Sequence, residues 1–234
     1  MIAVCIPAFN LLEYTRWAVE SVLRHSAPHP VRLYLLDNGS FGKETVRFMR
    51  SVPGAAVARN DRNMWVYAGW NQLLGMAMAD APDIVCLMSN DVQVGRNWLD
   101  GIVREMSADR KRYFLPNGNF SNHASFDQDV DRALVSIGPA PRTIPGRAGW
   151  LMAFPSEAVP LFAPIPTTLR LWYGDDWIHW KLGTAGYRCE TVLDSCAIHF
   201  FSKTLEAMDQ AEKVRIIAED KAEFERLKAK GDAP

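Results

Sequence analysis

Three short apolar runs, each closed by small polar residues and an amide or carboxylate, constrain this chain more than any other feature. Ile2-Ala3-Val4-Cys5-Ile6 runs into Pro7-Ala8-Phe9-Asn10, residues 31–36 run into Asp37-Asn38-Gly39-Ser40, and residues 83–88 run into Ser89-Asn90-Asp91. Continuous rather than alternating apolar runs predict strands covered on both faces, as in a parallel sheet. Between them, residues 12–25 place Leu12, Trp17, Val19, Val22 and Leu23 on a helical period. Residues 43–50 read as a short helix, 55–58 as a brief strand, and 67–79 as a helix carrying Trp70, Leu73, Leu74 and Met78. This β-α-β-α-β-α-β alternation predicts an α/β fold, a mostly parallel sheet flanked by helices. Polar residues at the ends of such strands are where nucleotides and metal ions are held.

The character changes near residue 105. Residues 109–147 are polar and rich in turn formers, which predicts loops with short antiparallel strands. Residues 150–154 read as a strand, 177–185 as a helix opened by Gly174-Asp175-Asp176, and 191–200 as a last strand ending in His199. Residues 205–230 alternate charges with Met208, Val214, Ile217, Phe224 and Leu227, which predicts a solvated C-terminal helix. Its lysines, Lys203, Lys213, Lys221, Lys228 and Lys230, are interleaved with acids, so a membrane contact is only weakly indicated. At 234 residues the chain suffices for one well-buried domain. The expected division is a single domain over 1–204, with a nucleotide-binding half (1–105) and an acceptor and catalytic half (106–204), followed by the terminal helix over 205–234.

A formal net charge of −1 supplies no field to gather nucleic acid or anionic lipid. Cys5, Cys86, Cys189 and Cys196 form no C-x-x-C pair. Buried reduced thiols and a cytoplasmic setting are therefore expected, with a Cys189–Cys196 bridge as the alternative. The first apolar run meets Pro7 too soon for a signal peptide, and no run reaches the length of a membrane span.

The order Pro7-Ala8-Phe9-Asn10, Asp37-Asn38-Gly39-Ser40, Asn60 to Asn71, Ser89-Asn90-Asp91 and Gly174-Asp175-Asp176 resembles the family-2 glycosyltransferases of the GT-A fold, from residue 2 to about 200. Each motif alone is weak; five in order at suitable spacing are not. The resemblance implies that Pro7, Ala8, Phe9 and Asn10 line a nucleobase pocket. It also implies that Asp37 accepts from the base imide N–H, which favours uracil or thymine because a carboxylate only accepts. Asn63, Asn71 and Asn90 would join the donor site, and Trp65 stands where the family usually has glycine. Asp91 would bind a divalent ion, Mn²⁺ or Mg²⁺, together with His199. Asp176 would be the general base, with Asp175 as the alternative or its neighbouring partner. The implied activity is metal-dependent transfer of a sugar from a nucleoside-diphosphate sugar, UDP-linked, to an acceptor hydroxyl with inversion.

Plainer roles exist for each residue. Asp37-Asn38-Gly39-Ser40 also reads as a turn, Asp91 as the cap of a helix beginning near Arg96, and Asp175 and Asp176 as caps of the following helix. His25, His29 and His123 read as solvated, and His179 as a packing residue or an acceptor contact. Trp150 or Trp172 is expected to stack on a sugar, and Arg62 or Arg147 to meet a diphosphate. A noncatalytic nucleotide- or sugar-binding protein on the same scaffold is the alternative function, motivated by Trp65 and by Ser89 in place of the family's first metal-motif aspartate. A sugar nucleotidyltransferase would need a glycine-rich basic loop where Pro7-Ala8-Phe9-Asn10 stands. The acceptor has no sequence code: a glycan, a lipid-linked sugar, a small molecule, a protein side chain or a hydroxylated nucleic-acid base all remain open.

Overall fold

A computed structural model of the chain describes residues 1–96, 98–120, 142–200 and 208–231. His123 and Lys203, singled out above, lie outside these residues, as do 121–141 and 201–204 of the expected acceptor half. Strands β1 (Ile2–Ala8), β2 (Val31–Asp37), β3 (Ala56–Arg59) and β4 (Ile84–Met88) alternate with helices α1 (Leu12–His25), α2 (Glu44–Ser51) and α3 (Val66–Met78). They pair in parallel in the order β3-β2-β1-β4, as the alternation predicts.

Side chains alternate across this sheet and build two cores. Ile2, Val4 and Ile6 of β1 pack with Ala18, Val19 and Val22 of α1 on one face. Ala3 and Cys5 pack with Trp70, Leu73 and Leu74 of α3 on the other. Burial on both faces accounts for the unbroken apolar runs.

The second half extends the sheet rather than looping beside it. Strand β5 (Val92–Val94) and helix α4 (Trp98–Ala108) lead to β6 (Arg112–Phe120), a nine-residue strand where loops with short antiparallel strands are expected. Then follow β7 (Thr143–Pro145), β8 (Leu151–Pro155), the short α5 (Val159–Phe162), α6 (Gly174–Thr184), β9 (Arg188–His199) and α7 (Gln210–Gly231). Among the described residues the nine strands run β3-β2-β1-β4-β8-β6-β9-β5, with β7 also paired to β9. Strand β8 is antiparallel to β4, and β6 is parallel to β9, so the sheet is mixed beyond β4. The polar residues of β6 are legible as strand only through their partners, because Arg112 pairs with the Glu190 and Glu105 carboxylates and cannot signal burial in sequence.

Helix α7 is not simply solvated: Ile216, Asp220 and Phe224 are buried, whereas Val214 is exposed. The four cysteines are free thiols. Cys189 and Cys196 lie opposite Tyr113 and Asn117 of β6, four residues or about 13 Å apart along that strand, which rules out the bridge between them. Among the described residues no helix is long and apolar enough to cross a membrane.

Candidate active site

The carboxyl ends of β1, β2, β4 and β9 meet at one cavity of about 300 Å³. Pro7, Ala8 and Phe9 line it from the end of β1, Asn38 from the turn after β2, and Ser89, Asn90 and Asp91 from the turn after β4. Such crevices outside strand ends are where open α/β sheets bind ligands. Aromatic rings supply much of the remaining wall: Trp65, Tyr67 and Trp70 from the start of α3, then Trp150 and Trp172. The Nε1 of Trp70 has no hydrogen-bond partner among the described residues.

The fold itself brings Asp91 and His199 together. Strand β5 begins one residue after Asp91 and runs antiparallel to β9, so that Val92 lies opposite His199. The Phe200 N–H donates to the Asp91 carbonyl at 2.9 Å and locks that register. Asp91 Oδ1 and His199 Nε2 stand 3.3 Å apart, both nearly buried. The Trp150 ring stacks on His199 at 5.6 Å with 16° between planes, and the Ser89 N–H donates to the Trp150 carbonyl.

A carboxylate oxygen and an imidazole nitrogen suit a divalent ion of intermediate hardness. Two such donors at about 2.1 Å from one ion and at right angles would stand about 3 Å apart, close to the spacing found. Among the described residues no third His, Cys, Asp or Glu joins them.

Asn38 organises the donor-side loop. Its amide donates to Asn63 Oδ1 at 3.1 Å and to the Trp65 carbonyl at 3.0 Å, while its oxygen accepts from Asn60 and from the Met64 N–H. Gly39, at φ 81°, is packed so closely on the Arg62 backbone that no side chain fits there. Trp65 keeps the backbone expected of glycine, at φ 68° and ψ 174°. Its N–H donates to Asn63 Oδ1 at 2.9 Å, and its ring lines the cavity.

Several expected site residues do other work. Asp37 is fully buried but does not line the cavity: Arg59, opposite it on β3, takes one oxygen, and the Ser40 N–H donates to the other at 2.9 Å. Each oxygen keeps a further acceptor site, but it is Asn38 rather than Asp37 that lines the wall. Asn10, with φ 57°, accepts from the Phe41 N–H at 2.9 Å and donates its own N–H to Ser40 Oγ at 2.7 Å, tying the first two strand-end turns together outside the cavity lining. Asn71 grips the backbone of Ile165 in both directions, at 2.7 and 2.8 Å, and is likewise absent from the wall. Asn90 lines the cavity while its amide donates to Thr15 Oγ1 at 3.0 Å.

The two neighbouring aspartates part company. Gly174, Asp175 and Asp176 form the first turn of α6, where the carboxylates favour the helix N-terminus. Asp175 lines the cavity that holds Asp91 and His199. Gly149 presses against its carboxylate so tightly that a Cβ there would collide. Withdrawal from water, and then the adjacent charge of Asp176, raise the Asp175 carboxyl above its ordinary range. Asp176 points away into a separate groove of about 650 Å³ beside Tyr113, His179 and Trp180, and is paired with Arg147. His179 accepts or donates to Tyr113 Oη at 2.5 Å and approaches the Ala148 carbonyl, and burial lowers its basicity. Arg147 is therefore committed to Asp176, and His29 to Asp100 at 2.6 Å.

A sheet whose first four strands are parallel, with an aromatic cavity at their carboxyl ends, a paired carboxylate and imidazole on one side and a desolvated carboxylate in the same wall, belongs to an α/β protein of the GT-A architecture. A sequence model of glycosyl transferase family 2 matches residues 3–145, and the chain belongs to that family. Its fold is similar to that of GalNAc-T7 solved with UDP, GalNAc and Mn²⁺, at TM-score 0.67 and 18% identity over 85% of this chain and 43% of that one. It is also similar to residues 1–349 of TarS from S. aureus, at TM-score 0.64 and 13% identity over 94% of this chain and 70% of that one. A longer TarS structure aligns at TM-score 0.65 and 14% identity, over 94% and 42%. The chain thus spans less than half the length of GalNAc-T7 and of the longer TarS. No curated protein matches it.

Proposed function

We propose that the chain transfers a sugar from a nucleoside-diphosphate sugar to an acceptor hydroxyl, with a divalent cation held by Asp91 and His199. The observation that carries this reading is the 3.3 Å Asp91–His199 pair sharing one aromatic-walled cavity with Asp175. UDP is the preferred nucleotide because GalNAc-T7, of the same fold, was solved with UDP and Mn²⁺. Asp37 adds no argument for that choice, since it does not line the cavity.

In this reading, Pro7, Ala8 and Phe9 receive the base, and Trp65, Trp150 and Trp172 exclude water from the sugar. A cation at Asp91 and His199 would supply positive charge to the diphosphate as it leaves. Asp175, rather than Asp176, takes the acceptor proton, because it is the one on the cavity wall. Its raised pKa makes it a stronger base than a solvated carboxylate, and such catalysis contributes on the order of 10²–10⁴-fold. The acceptor oxygen bonds to the anomeric carbon, the carbon–phosphate oxygen bond breaks with its electron pair going to the diphosphate, and the hydroxyl proton ends on Asp175. Attack opposite the leaving group inverts the anomeric centre.

A thermal-shift panel of UDP-, GDP-, CMP- and TDP-sugars with Mn²⁺, followed by assay for released nucleoside diphosphate, tests this. Binding to the folded state raises the midpoint. A flat response across the panel, or turnover that persists after chelation, refutes the proposal. Binding without turnover on a broad acceptor panel favours the noncatalytic alternative.

A further inference from the structure

The C-terminal helix reaches into the cavity wall through one carboxylate. Asp220 of α7 is fully buried between Ile216 and Phe224. Its Oδ2 accepts three successive backbone N–H groups, from Arg170 at 3.1 Å, Leu171 at 2.9 Å and Trp172 at 3.0 Å. Its Oδ1 faces Arg170 Nε at 3.4 Å, and Glu219 takes the other end of that guanidinium. Three amides converging on one ionised oxygen make a charge-assisted cradle, which fixes the turn at 170–172 more firmly than neutral hydrogen bonds would.

That turn forms part of the cavity. Leu171 and Trp172 line it. The Arg170 carbonyl accepts from the Val66 N–H at 3.2 Å, and Tyr67 Oη donates to the Leu171 carbonyl at 3.1 Å, so the turn also holds the entry to α3. The Arg170 guanidinium lies 6.0 Å from the centre of the Trp65 ring. Phe224, one helical turn beyond Asp220, stacks on Tyr173 at 5.6 Å. Trp172 therefore takes its position from α7, while Trp65, whose backbone Asn38 and Asn63 hold, meets that turn through the Arg170 guanidinium and the neighbouring Val66 N–H.

We propose that Asp220 is a positioning residue for the sugar side of the donor cavity, holding the Trp172 wall and the turn that abuts Trp65, against which the donor's sugar ring packs. This rests on the donor-site reading above. The base side, lined by Pro7, Ala8 and Phe9, is held separately at the end of β1, so α7 governs the sugar and not the nucleotide. An indole offers a flat apolar face to the C–H face of a sugar ring, and its contribution depends on placement. A shift of about 1 Å in a positioning element can lower activity by about 10²-fold.

Hydrogen exchange and binding on the full chain test this, with Asp220→Ala and Asp220→Asn. In Asp220→Ala, amides 170–172 should lose at least about tenfold protection, the equivalent of one hydrogen bond to a charged group, while β1 and β4 hold theirs. With Mn²⁺, UDP should bind as before, whereas the UDP-, GDP- or TDP-sugar to which the unaltered chain responds should weaken by about tenfold. Asp220→Asn keeps an oxygen for the three N–H groups and should restore most of both. Where Asp220→Ala does not fold, Asp220→Glu, which displaces the carboxylate by one methylene, gives the same readings. Unchanged exchange at 170–172, loss spread evenly over the sheet, or equal weakening of UDP and its sugar conjugate each overturn the inference alone. An unaltered chain that binds none of the panel overturns the donor-site reading as well, and exchange, which needs no ligand, tells the two failures apart.

Discussion

Trp65 is the place where this structure departs most from ordinary backbone chemistry, and replacing it separates strain from packing. At φ 68° and ψ 174° it occupies a region that is essentially reserved for glycine. A side-chain-bearing residue held there costs on the order of 1–3 kcal/mol. The conformation persists because both ends of the peptide are fixed: Asn63 receives its N–H, and Asn38 and the Gly69 N–H reach its carbonyl at 3.0 and 3.2 Å. Trp65→Gly and Trp65→Ala lose the same indole, so their difference isolates the backbone. Taking about 2 kcal/mol for the penalty that alanine retains, less about 0.5–1 kcal/mol for the extra freedom of glycine in the unfolded chain, leaves about 1–1.5 kcal/mol in favour of glycine. For a domain of this size that is about 2–6 °C in Tm, the reverse of the usual order of the two residues in a helix. Paired urea and thermal unfolding of the two variants measures it. Equal stability, or an alanine variant more stable than the glycine one, refutes the strain.

Three further outcomes are expected. Asp175→Asn should remove turnover yet raise stability at neutral pH. Because the folded carboxyl titrates above its unfolded counterpart, it favours the native state below about pH 3.9 and loses that advantage as pH rises through the raised value. The amide never ionises, so its urea midpoint should exceed that of the unaltered chain by more at pH 7 than at pH 4; a gain independent of pH contradicts the desolvation. Arg59→Met should destabilise by about 3–5 kcal/mol, since it strands the fully buried Asp37 charge, and a urea-derived loss under about 1 kcal/mol would show that the pair behaves like a surface contact. Asp91→Ala and His199→Ala should each abolish the Mn²⁺-dependent part of a UDP thermal shift, and a shift retained in either variant removes that residue from the proposed cation site.

The parts of this molecule legible in its sequence are those where local chemistry and tertiary environment agree. Ile2–Ala8 and Ile84–Met88 are apolar throughout, and Leu33–Leu36 within β2, because both faces are covered, so their parallel arrangement and the cavity at their ends follow from the runs themselves. Strand β6 was not legible, because Arg112 and Asn117 lie in a strand whose pairing with β9 is fixed some seventy residues away. Individual site residues divide on a finer point, the direction in which a side chain leaves a turn. Asp37 and Asn38 are adjacent, as are Asp175 and Asp176, and in each pair one residue faces the cavity and the other an arginine. A motif places both members at the strand or helix end, but which one turns inward depends on Arg59 and Arg147, whose strand and loop lie far away in sequence.

Asp220 carries the same lesson in a form that sequence can be made to reveal. Ile216, Asp220 and Phe224 stand four residues apart on one face of α7, so the acid occupies the centre of a buried apolar stripe. Counted among the alternating charges of this helix it reads as solvated. Counted on the stripe it is a buried charge, which is expensive unless partnered. The partners it finds are the amides of the turn carrying Leu171 and Trp172. A helix retained only for solubility or for packing would have been better served by an aliphatic residue at that point. The placement of a carboxylate there, aimed at the backbone of a cavity wall, makes α7 part of the site.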